Sequence, residues 1–200
     1  MAVTRRAMED LGRRCLRARP DTIVVFTPHG LCLENCISVS MAVSGAGYVD
    51  GENGVRVGMH FLIDQELSEA IGAEAQKRDV PAAMVGYQQD GSAMPVFPLD
   101  WGVLVPAFFL GAQWPQPPQI VVACPDRSLP REKLIAFGEA VVSAAARTGR
   151  RIAIVCSADQ GHGHSEDGPY GYSPQSAVHD DAYCTAVREY TLSLHDALPI

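Results

Sequence analysis

Two segments hold the side chains best suited to chemistry. One is Thr27-Pro28-His29-Gly30; the other runs from His162 through Gly163, His164, Ser165, Glu166, Asp167, Gly168, Pro169, Tyr170 and Gly171 to Tyr172. Each follows an apolar run, Thr22-Ile-Val-Val-Phe26 in the first case and Arg151-Ile-Ala-Ile-Val-Cys156 in the second. Both runs read as buried strands. Histidines just past strand ends, in Gly/Pro-rich loops, sit where open α/β sheets place their reactive groups. An imidazole there can bind a metal or move a proton near neutral pH. The pair points to an enzyme.

The elements that must position these loops follow from apolar spacing. Residues 4–18 read as an amphipathic helix, with Ala7, Met8, Leu11, Cys15 and Ala18 on one face and arginines on a solvated one. Pro20 stops it. Strands are expected over Thr22–Phe26, Cys36–Val43, Val55–Leu62, Pro81–Tyr87, Gln119–Cys124 and Arg151–Cys156. Gly45, Gly47, Gly51 and Gly54 read as the tip of a hairpin. Asp64 caps a helix through Lys77. Val103–Leu110 reads as a buried helix with Pro106 in its first turn, 130–148 as a helix, and another begins near Ala177. This order predicts an α/β fold: a mixed, largely parallel central sheet flanked by helices in one domain.

Bulk properties narrow the class. The chain has 200 residues, 47% hydrophobic and 20% charged, which suits one core. A net charge of −7 argues against a nucleic-acid partner. No apolar stretch is long enough for a membrane span, and the first residues lack a signal-peptide core, so a cytoplasmic protein is the expectation. The six cysteines are expected as reduced thiols, with Cys124 and Cys156 as buried small hydrophobes. Cys32 and Cys36 lack two further ligands at zinc spacing. His60 and Trp114 read as structural residues, and His179 as a helix start beside Asp180 and Asp181.

The two loops, with Asp100-Trp101-Gly102 between them, resemble the class III extradiol ring-cleavage dioxygenases, in the catalytic-subunit type seen in protocatechuate 4,5-dioxygenase. His164-Ser-Glu-Asp-Gly168-Pro169 looks like that family's His-x-x-x-Gly-Pro loop, and the Pro-His-Gly step at His29 is the second match. The resemblance covers most of residues 4–189. It implies Fe(II) held by two histidines and a glutamate, a small aromatic diol and dioxygen as substrates, and a homodimer or a small partner subunit. It implies an iron ligand at His29 and an acid/base imidazole at His164. Trp101, His162 and Tyr170 would line the substrate pocket. Many relatives carry Asp-His-Gly where this chain has Asp100-Trp101-Gly102, so a proton-transfer role is not expected at Trp101. The family's other histidine and its glutamate have no counterpart in this chain.

The last eleven residues, Tyr190–Ile200, match the conceptual translation of a common short-read sequencing adapter. They are expected to be a non-native tail, which confines the dioxygenase-like domain to 1–189 and leaves it incomplete at the C-terminus and at the N-terminus. A fragment lacking two iron ligands would be inactive. Two other readings remain open at this point: a zinc-dependent hydrolase built on the same loops, and a non-catalytic binding relative on the same scaffold.

Overall fold

The computed structural model describes residues 2–51, 54–86, 96–158 and 160–197, with only the backbone for 190–197. The chain divides into two compact units, Met1–Ser157 and Ala158–Ile200. The first holds α1 (Ala2–Ala18), β1 (Thr22–Phe26), β2 (Ile37–Ser40), β3 (Ser44–Asp50), β4 (Arg56–Leu62), α2 (Gln65–Lys77) and β5 (Ala82–Val85). It continues through β6 (Val96–Pro98), α3 (Trp101–Ala107), β7 (Gln119–Pro125), α4 (Arg131–Thr148) and β8 (Ile152–Cys156). The second unit carries α5 (Pro174–Ala197). Among the described residues no helix is long and apolar enough to cross a membrane.

A five-stranded sheet, ordered β5-β2-β7-β1-β8, organises the first unit. Its pairings are parallel except β2 with β7, so the fold is the expected mixed, largely parallel α/β type. Strict alternation along the central strands explains why both faces are buried. Val24, Val121 and Ala123 join Leu67, Ile71, Phe137 and Val141 under α2 and α4. Ile23, Val25, Ile120 and Val122 join Phe61, Phe97, Leu99, Val103 and Leu104 on the opposite face. That face is covered by α3 and by a three-stranded sheet, β4-β3-β6.

One polar cluster anchors the start of β1. Asp64 accepts the Leu67 N–H at 3.1 Å as the α2 cap, the Thr22 hydroxyl at 2.5 Å and the Arg150 guanidinium at 3.0 Å. Burial works to raise the Asp64 pKa, but these donors more than offset it and hold the carboxyl below its ordinary value.

Several expectations change. Ser44–Asp50 is a strand, so Gly45 and Gly47 lie inside the sheet and the hairpin turns between Asp50 and Arg56. A Cβ on Gly47 would stand 2.3 Å from the Leu99 carbonyl oxygen, so that glycine serves a close approach rather than a turn. Helix α3 begins at Trp101, which places Pro106 inside it rather than in the first turn. The helix then widens into a π turn over Phe108–Ala112, consistent with the N–H that Pro106 lacks. Helix α1 docks through Gly12 against the Phe109 carbonyl, while Leu11 on the expected apolar face is half exposed. Strand β8 is an edge strand, so Ile154 and Cys156 are exposed rather than buried. The expected strand over Pro81–Tyr87 is found at Ala82–Val85, and Tyr87 lies outside the described residues.

Candidate active site

In the first unit, β1 delivers Thr27 and His29 as the chain leaves the sheet. The Thr27 backbone N–H still bonds to the Ala123 carbonyl, continuing the β1–β7 ladder by one residue. Its hydroxyl donates to Asp100 Oδ1 at 2.9 Å and accepts the His29 backbone N–H at 3.2 Å. Asp100 Oδ1 also accepts the Gly102 N–H at 2.7 Å, which makes it the N-cap of α3. One short side chain thus ties the histidine loop to the helix that begins with Trp101. A Cβ on Gly102 would stand 2.7 Å from the Thr27 hydroxyl and 2.8 Å from Asp100 Oδ1, so this junction leaves no room for a side chain. The other Asp100 oxygen, Oδ2, is buried and has no hydrogen-bond partner among the described residues.

The His29 and Trp101 rings lie with centroids 4.3 Å apart and planes at 34°. Trp101 is 53% exposed and His29 is exposed as well. The indole therefore covers one imidazole face while leaving a flat aromatic surface toward solvent. The loop after Gly30 turns back over β7, where Cys32 Sγ lies 2.9 Å from Cys124 Sγ.

In the second unit, the glycine-rich segment is pinned to the start of α5. The Gly163 N–H donates to Ser176 Oγ at 2.9 Å, the Ser173 N–H bonds to the Gly163 carbonyl, and His164 pairs with Tyr172 as an antiparallel bridge. His164 Nε2 lies 2.9 Å from Asp180 Oδ2. A carboxylate only accepts, so the contact requires a proton on Nε2, and whenever the ring is neutral its lone pair is then on Nδ1. A Cβ on Gly161 would stand 2.9 Å from both Asp180 oxygens and from His164 Nε2, so a side chain there would have to push this pair aside. The His162 ring meets the exposed Tyr170 ring edge-on at 5.0 Å, and His179 Nε2 lies 3.1 Å from Gln160 Oε1.

The five residues singled out in the sequence thus fall into three local arrangements. His29 is with Trp101, His162 with Tyr170, and His164 with Asp180. Thr27 and Asp180 were not singled out. Thr27 is the residue between the strand and the Pro-His-Gly step, and its partner lies 73 positions away. Asp180 was legible only as part of an acidic helix start, although helix α5 begins six residues earlier at Pro174. His60 lies on the exposed face of β4, and Trp114 is half buried.

Residues 3–198 match the family described as the catalytic LigB subunit of aromatic ring-opening dioxygenase. The chain belongs to this family. It is also 25% identical over 177 residues to a protein of Clostridium acetobutylicum named Protein CA_C1420, an alignment that takes in 88% of this chain and 37% of that protein. The chain therefore spans well under half the length of this curated relative.

The iron that the resemblance implies can be tested against the side chains. Among the described residues, no three His, Cys, Asp or Glu groups gather closely enough to hold a metal ion. The donors described do not fit a complete iron centre, and His29 stands against an indole rather than beside a second donor.

Proposed function

We propose that the ring-opening chemistry of this family takes the extradiol form in this protein, with a catecholic diol and dioxygen as substrates. The observation that carries the reading is the His164–Asp180 pair. A carboxylate that claims Nε2–H fixes the ring orientation and leaves Nδ1 ready to take a proton from a phenolic hydroxyl. Proton removal of that kind is what a catechol needs before its ring is opened. In this reading the exposed Trp101 face is an aromatic contact offered by the first unit, and the exposed Tyr170 ring, with His162 beside it, is one offered by the second. His29 is assigned as one ligand of Fe(II), on its place in the Pro-His-Gly step past β1. The donors among the described residues do not by themselves complete a site for that metal. A small partner subunit, or a second copy of the chain, belongs to the same proposal.

The test is an oxygen-uptake assay on the protein expressed from its native reading frame and loaded with ferrous iron under anaerobic conditions. Protocatechuate, gallate and catechol are the substrates. Oxygen consumption with a yellow ring-opened product supports the reading. Bound iron with no uptake on any of them overturns it.

One observation favours a second reading, a non-catalytic relative that binds aromatic compounds. Trp101 lies against the face of His29, where the resemblance would place a histidine. That protein would bind the same aromatic diols and leave oxygen untouched.

A further inference from the structure

Away from the imidazoles, the first unit brings two thiols together that the sequence holds 92 positions apart. Cys32 Sγ and Cys124 Sγ are 2.9 Å apart, inside ordinary sulfur–sulfur contact, and neither is in a disulfide. Their settings differ. Cys32 is exposed, whereas Cys124 sits in β7 with 1% of its surface accessible. Burial first, and the bond with Cys32 second, push the Cys124 thiol up to about 12, so it is held protonated.

The loop that carries Cys32 is already built onto the end of β7. A Cβ on Gly30 would stand 3.2 Å from the Cys124 Cβ. The Asn35 N–H donates to Asp126 Oδ2, the Asp126 N–H bonds to the Cys36 carbonyl, and the Ser38 hydroxyl donates to the Leu31 carbonyl. Cys36, the neighbour that spacing would favour as a partner, instead directs its sulfur to the Ile37 carbonyl at 3.8 Å.

We propose that Cys32 and Cys124 form a redox pair that closes to a reversible disulfide when a small-molecule disulfide reaches the exposed Cys32, fastening the loop behind His29 to β7. The exposed Cys32 thiolate attacks one sulfur of the small disulfide, giving a mixed disulfide and expelling one thiolate. Cys124 then loses its proton to solvent and attacks the Cys32 sulfur, which expels the second thiolate. The two protein thiols are oxidised to one S–S bond and the small disulfide is reduced to two thiols. The high Cys124 pKa makes this second step the slower one, and contact between the sulfurs is what lets it proceed. The bond is independent of ring-opening activity, so neither idea falls with the other.

One molar equivalent of 4,4′-dithiodipyridine tests it, with the released thiopyridone read by absorbance. Closure releases two thiopyridones for each reagent molecule consumed, whereas a mixed disulfide that persists releases one. The protein carrying Cys156→Ser and Cys184→Ser, which removes the other exposed thiols, is expected to give two, with a 32–124 linked peptide on mapping and full reversal by dithiothreitol. Added to that background, Cys32→Ser and Cys124→Ala are each expected to give one, and Cys36→Ser to stay at two. A ratio of one in the background lacking Cys156 and Cys184 overturns the proposal. A linkage to Cys36, or a fall to one in Cys36→Ser, overturns it as well. Because Cys32 is exposed, its serine variant tests the pair without disturbing the core.

Discussion

The two histidine loops are held in opposite ways. After β1 the bonded Thr27 and Asp100 side chains hold the backbone, accepting the His29 and Gly102 N–H groups, while the His29 ring is met by the Trp101 face. In the glycine-rich segment the side chain is held directly, because Asp180 takes the Nε2–H of His164. A ring positioned by a stacked neighbour can still turn its nitrogens toward a ligand. A ring bonded through one nitrogen has its proton location decided in advance. The first arrangement suits a group that must meet something from outside the chain, and the second suits a group that must hand a proton over in one direction. In each arrangement a side chain at one glycine would press on the bonded pair, at Gly102 in the first loop and at Gly161 in the second.

Breaking the frame under the first loop gives the largest effect. Asp64→Ala removes the α2 cap and leaves the Thr22 hydroxyl and the Arg150 Nε–H without their acceptor, for an expected loss of about 3 kcal/mol in denaturant unfolding at neutral pH. The same experiment in acid carries a sign. The native Asp64 pKa is lowered, so its contribution is complete above the unfolded carboxylate value of about 3.9 and is lost as pH falls through the native value. The gap between wild type and variant should therefore close at strongly acidic pH. A gap that stays constant would mean the carboxylate charge does not matter there.

Asp100→Ala sharpens the comparison at the loop itself. It deletes the α3 cap and the Thr27 acceptor together, for an expected cost of about 2 kcal/mol. The His29 ring protons should also lose the ring-current shift imposed by Trp101, as read by NMR. Unchanged shifts would show that the stack holds without its backbone frame.

Asp180→Ala should have the smallest effect on stability, under about 1 kcal/mol, because the pair is partly exposed. Its effect is on proton placement. Nitrogen-15 NMR should find the neutral His164 ring as the Nε2–H tautomer in the wild type and as a mixture of both tautomers in the variant. A wild-type ring that is already mixed would remove the distinction between the two loops.

The fold was legible wherever burial dictates the pattern. Thr22–Phe26 and Gln119–Cys124 are buried on both faces, and their unbroken apolar runs say so. Gly45 and Gly47 misled because a glycine that clears space for Leu99 looks in sequence like one that makes a turn. Pro106 misled in the same manner, since a helix can absorb it by widening. The candidate site was legible as residue types in loops. What joins those types was hidden, because Thr27–Asp100 and Cys32–Cys124 are made by the sheet order and have no local signature.

That sheet order also sets a timetable for the chain during synthesis. Strand β1 is flanked by β7 and β8, so Thr22 must pair with Gln119 on one side and Ile152 on the other. At a ribosomal rate of about 5–20 residues per second, the first of those partners emerges roughly 5–20 s after β1 does. Throughout that interval the run Ile23–Val24–Val25, destined for an interior strand of the sheet, has neither neighbour. A nascent chain of this design is dependent on whatever shields an apolar strand while it waits, and slow codons between β1 and β7 would lengthen its exposure.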